Sequence, residues 1–154
     1  MTLDPEQVKL GLPQQVPMVA TLNLAFGELT PDRAVMVLPD QPAYRNHVGG
    51  PHAGAMFTLA ESASGALILL NFGHLLDRAI PLAVSAEIRY LRLAMGDVTA
   101  TAASDRTATE VIAELDSGSR PELTIDVSLT ADGRETGRMS ILWTLKPVST
   151  TQVK

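Results

Sequence analysis

The run from Ala53 to Leu70, AGAMFTLAESASGALILL, carries a single charge, Glu61, and this limits the chain more than any other feature. A helix that is apolar nearly all round has to be covered on more than one side. Gly54, Thr58, Glu61, Ser62, Ser64 and Gly65 interrupt the run, so it lacks the roughly 20 consecutive apolar residues of a membrane span. The expectation is therefore a buried helix from Gly54 to about Leu70, with no membrane insertion. Glu61 goes inside with it. An unpaired carboxylate in apolar surroundings is costly unless its pKa shifts or a partner satisfies it, and a residue of that kind is a functional candidate.

The flanking segments predict what covers the helix. Asp4 to Leu10 reads as a short N-terminal helix, with Asp4 as N-cap and Pro5 at the first helical position. Met18 to Leu29 and Arg33 to Leu38 read as strands joined by a turn at Thr30-Pro31-Asp32. The long helix is expected to end near Asn71 to Gly73. After it the hydrophobic period becomes two: Leu82, Val84, Ala86, Ile88 and Tyr90 mark a strand with one apolar face. Val98 to Ala103 forms the next strand, and Thr107 to Leu115 is either a short helix or an irregular excursion. Leu123, Ile125, Val127 and Leu129 then lead through Ala131-Asp132-Gly133 into Met139, Ile141, Trp143 and Leu145, which is a hairpin.

This order is that of an α+β domain in which one antiparallel sheet wraps a single long helix. We expect one domain over residues 1–154, with its core at about 18–146 and the short helix before it. Gly54, Thr58, Ser62 and Gly65 recur at roughly helical spacing and would let a second helix or a ligand approach closely. A homodimer follows as an expectation.

Composition excludes several alternatives. A net charge of −5 without a basic run argues against a nucleic-acid partner. Zero cysteines exclude disulfides and thiolate metal sites, consistent with a reducing compartment. Met1 to Leu10 carries Asp4, Glu6 and Lys9 in place of an apolar signal segment, so a cytoplasmic setting is expected. The histidines, His47, His52 and His74, form no ligand pair with helical spacing, so neither metal nor cofactor is expected.

Asn46-His47-Val48-Gly49-Gly50-Pro51-His52 is a glycine-rich turn that delivers the chain to the start of the helix. Helix N-termini expose unpaired N–H groups at a positive dipole end, so the amides of Ala53 and Gly54 can hold a developing oxyanion. Glu61 can act as base or nucleophile, and Asn46 and His52 can orient a carbonyl or a water. Each residue also has a structural role open to it. Glu61 can pair with Arg89 or Arg92, or bond to Ser85; His52 can fix the turn; Asn46 can satisfy its own backbone.

The stretch from Asn46 to Glu61 resembles the hotdog-fold acyl-CoA thioesterases of the phenylacetate-pathway type. Their pattern is Asn, His-Gly-Gly six residues on, and Asp or Glu nine residues after the His; Asn46, His52 and Glu61 stand at those spacings. Ala53 replaces the first glycine, and the Asn46-His47-Val48-Gly49 opening with Glu61 in place of Asp is closer to a poorly characterised branch. The resemblance implies the hotdog fold and hydrolysis of an acyl-CoA or acyl-carrier thioester. It also implies a dimer or dimer of dimers, in which Ser85 faces the active site of the neighbouring subunit. Phe57 and Arg89 are the substrate-contact candidates, although the same residue types serve as core and as surface charge. A non-catalytic acyl-thioester binding module on the same fold is the alternative reading.

Overall fold

The computed structural model describes residues 1–149. They run α1 (Pro5–Gln15), α2 (Pro17–Thr21), β1 (Ala25–Thr30), β2 (Arg33–Leu38), α3 (Ala53–Phe72), β3 (Ala79–Tyr90), β4 (Val98–Ser104), α4 (Ala108–Asp116), β5 (Glu122–Ala131) and β6 (Arg134–Pro147). The strands form one 6-stranded sheet, ordered β1-β2-β4-β5-β6-β3, in which every neighbouring pair is antiparallel. α3 lies across β2, β4 and β5. A single antiparallel sheet curled around one long helix is the hotdog fold that the motif resemblance implies.

The alternation in the sequence becomes burial wherever the helix covers the sheet. Leu123, Ile125, Val127 and Leu129 of β5 are buried, while Glu122 and Asp126 face outward. At the β5–β6 turn Asp132 and Gly133 both take positive φ, 50° and 69°. Two left-handed residues in a row give the twist that matches the flanking strands. α3 is long and apolar enough to cross a membrane by length and composition, yet 61% of its most apolar window is buried within the protein. A polar chain fastens it to the sheet: the Trp143 indole donates to Ser64 Oγ at 3.1 Å, and that hydroxyl donates to the Glu61 carbonyl at 2.7 Å.

Three expectations change. α1 starts where predicted, with Asp4 accepting from the Glu6 amide at 3.1 Å, but continues beyond Leu10 to Gln15. The predicted strand from Met18 is first helical, and β1 begins only at Ala25. Pro17 pre-sets the first turn of α2, and Val19 and Leu22, three residues apart, bury on one side. β3 does form, but without the expected buried face: Leu82 and Val84 are 41% and 49% exposed. It is an edge strand bonded only to β6, and it runs past the cover of α3. The segment left open between helix and excursion is α4, whose capping box joins Thr107 and Glu110.

Candidate active site

Asn46 closes the loop before α3. Its side-chain oxygen accepts from the amides of Val48 at 3.0 Å and Gly50 at 3.2 Å, and its side-chain nitrogen donates to the Pro51 carbonyl at 3.2 Å. Gly49 sits at φ 83° inside this turn. At Gly50 a Cβ would lie 2.3 Å from the Ala94 carbonyl oxygen, so only glycine fits. The Asn46 side chain is thus spent on loop geometry.

His52 is the N-cap of α3, and its Nδ1 accepts from the Gly54 amide at 2.9 Å. That bond requires Nδ1 to be unprotonated, which leaves the ring hydrogen on the exposed Nε2. It also removes the Gly54 N–H from the candidate oxyanion donors. Ala53 N–H has no partner among the described residues and remains available. The Ala53 carbonyl is held by the Tyr90 hydroxyl at 3.0 Å. Tyr90 thereby joins the candidate site, a place its sequence position, four residues past Ala86 on the alternating face of β3, signals only weakly. A cleft of about 330 Å³ opens here, lined by Met18, Leu22, Tyr44, Arg45, His52 and Thr58.

Replacing His52 by Ala removes the cap while leaving the chain path open. We expect a loss of about 1 kcal/mol of stability, with a range of about 0.5–2 kcal/mol. Urea denaturation at unchanged slope would measure it.

Glu61 lies along the outward stripe of α3 with Gly54, Thr58, Gly65 and Leu69, all less than fully buried. Ser62, expected on that stripe, is only 4% exposed. Burial pushes the Glu61 carboxyl above its ordinary value, and no charged or hydrogen-bonding group offsets the effect. The structural pairings open to it in sequence are not made: Arg89 pairs with Glu87 at 3.1 Å. Beside it the Ser62 hydroxyl is buried without a hydrogen-bond partner among the described residues. The two residues line a second cleft, of about 280 Å³.

The other candidates lie apart from Glu61 in the folded chain. Ser85 is exposed on β3, next to an irregularity in the β3–β6 register, and it lines neither cleft. Phe57 is half-buried and packs on the core margin. Arg89 is on the outer face of the sheet, where Glu87, Asp126 and Arg138 line a polar depression away from α3.

The chain belongs to the family of a domain of unknown function, DUF4442, whose profile matches residues 5–145. No curated protein matches it. Among solved structures it is similar to a protein of unknown function from Pseudomonas aeruginosa described as a probable thioesterase. That likeness has a TM-score of 0.83 and 26% identity, covering 96% of this chain and 99% of the other. It is also similar to a thioesterase family protein from Silicibacter pomeroyi, with a TM-score of 0.73 and 21% identity over 94% and 100% of the two chains. A thioesterase from Pseudomonas aeruginosa, crystallised as a mutant, gives a TM-score of 0.75 and 20% identity over 96% and 97%. The last two likenesses concern the fold alone.

Proposed function

We propose that the protein hydrolyses an acyl thioester, with Glu61 as the carboxylate that activates water and the Ala53 amide as an oxyanion donor. The observation that carries this is the unpaired Glu61 carboxyl, held half-buried in a cleft with its pKa raised by desolvation. An unpaired carboxylate made more basic by a concave apolar setting suits general-base chemistry better than structural service. The description of the 26% identical Pseudomonas aeruginosa protein as a probable thioesterase supports the same reading.

In this mechanism Glu61 takes a proton from water as the oxygen bonds to the thioester carbonyl carbon. The carbonyl oxygen becomes negative and accepts from Ala53 N–H at the positive end of α3. The C–S bond then breaks, and the Glu61 proton passes to the departing sulfur. The products are a carboxylic acid and a thiol, and the enzyme carboxylate is regenerated.

Ala53 and Glu61 are eight residues apart on one helix, about 12 Å of axis at 1.5 Å per residue. That is too far for both to serve one carbonyl group. The site is completed in a homodimer, where a second α3 running antiparallel brings its Ala53 amide to Glu61 of the first. Gly54 and Thr58, uncovered on the first two turns of α3, and the free edge of β3 support this arrangement.

Free-thiol release by the purified protein, with acetyl-, octanoyl-, palmitoyl- and phenylacetyl-CoA and the matching acyl-carrier thioesters, tests the activity. We expect turnover of at least one series by a dimer or dimer of dimers in light scattering. Tight binding of the same thioesters without thiol release would make the protein a binding module instead.

A further inference from the structure

The cleft at Glu61 is two-toned. Its polar head is formed by Glu61 and Ser62; the Ser62 side chain is 4% exposed and its hydroxyl has no partner among the described residues. A buried hydroxyl left unsatisfied costs free energy unless something entering the cleft bonds to it. Beyond the head the walls are aliphatic except for Gln15 and Trp143. Leu12 of α1, Val19 of α2 and Val16 between them contribute, with Leu69, Leu76 and Ile80 among the other lining residues. No charged group other than Glu61 lines it.

The size of the cleft is also informative. Its volume of about 280 Å³ is at the small end of ligand clefts, which run from about 300 to 1,000 Å³. From Glu61 to Leu69 the cleft follows α3 for about 12 Å at 1.5 Å per residue. Gly65 lies one turn beyond Glu61 on this path, and its missing side chain leaves the floor open.

We propose that this groove is the acyl subsite, that it takes an unbranched aliphatic acyl group of medium length, and that Gly65 sets the usable depth. The inference rests on the thioesterase reading for the reaction itself. The thioester carbonyl sits at the polar head, where the Ser62 hydroxyl donates to it or to the attacking water, and the chain runs past Gly65 between α1 and the start of β3. The N-terminal helices therefore form part of the wall that selects substrate.

Gly65 offers a clean test. A Cβ placed there would meet the Trp143 ring at 3.9 Å, an ordinary contact, and replacing a mid-helix glycine favours the helix. In the parent, kcat/KM for unbranched acyl-CoAs should rise roughly 4-fold per methylene up to about eight carbons, then level off or fall. In Gly65→Leu the ratio of octanoyl- to butyryl-CoA kcat/KM should drop by about 10-fold or more. Leu76→Ala, which lengthens the groove, should move the optimum to longer chains.

A flat chain-length profile, a preference for phenylacetyl-CoA, or an equal loss on all substrates in Gly65→Leu overturns the subsite while the hydrolase reading stands. If no thioester is cleaved at all, the hydrolase reading fails separately. Binding of S-alkyl-CoA thioethers, measured by calorimetry, then decides the subsite: affinity that grows with chain length in the parent and collapses in Gly65→Leu supports it, and length-independent or absent binding overturns it.

Discussion

Glu61→Gln should abolish thioester hydrolysis, lowering kcat by about 10² to 10⁴-fold, the range supplied by a positioned general base. The amide keeps the size of the carboxylate but can neither take the water proton nor attack the carbonyl carbon. Ligand affinity should be largely retained, since the groove walls are untouched.

The stability effect has the opposite sign from that of an ion-pair member. Burial raises the Glu61 carboxyl above its ordinary 4.5. A folded state that holds a proton more tightly than the unfolded chain loses stability as pH rises past the unfolded value. The parent is therefore penalised above about pH 4.5, whereas the neutral Gln variant is not. Melting temperatures followed from pH 4 to pH 8 should move apart in favour of Glu61→Gln as pH rises. A variant that melts below the parent at pH 7, or that still turns over at parental rate, would falsify the assignment of Glu61.

Ala53→Pro should lower kcat by about 10²-fold or more, as does the loss of a donor from an oxyanion hole. The position is unusually favourable for the test, because Ala53 is the first residue of α3, where proline is preferred and the amide has no helical partner. His52 before it has φ −59° and ψ 138°, the extended backbone a residue preceding proline adopts. The change therefore deletes one N–H with little strain on the fold. Ala53→Gly, which keeps the N–H, should remain active. Thiol release and thermal melting measured on both variants separate a lost donor from a damaged helix: equal loss in both, with lowered melting temperatures, would leave Ala53 without its role.

The parts of the fold that were legible in sequence are those where burial is one-sided or complete. β2, β5 and β6 carry their period of two because α3 covers one face, and α3 itself announces its burial by lacking charge. β3 deceives, because alternation at an exposed sheet edge has the same pattern with nothing behind it. α2 is too short for a helical period to be distinguished from strand alternation over Met18 to Leu24.

The candidate site was legible as a set of residues and not as a set of bonds. The loop with Asn46 and His52 and the isolated carboxylate of Glu61 are visible in the spacing. Which atoms are already committed is not: the His52 Nδ1 that occupies the Gly54 amide depends on a cap geometry that only coordinates reveal. The groove past Gly65 was invisible for a different reason. Its walls come from Val16, Leu76 and Trp143, which are far apart in the chain.

Trp143 is the only tryptophan in the protein, and it sits where several of these features meet. Its indole N–H is tied to Ser64 of α3, its ring faces Gly65, and its edge lines the groove. The molecule thus contains its own optical reporter. Emission from that one ring should register the docking of helix onto sheet during folding and, with the groove as the proposed acyl subsite, the replacement of water by an aliphatic chain, without any label being attached.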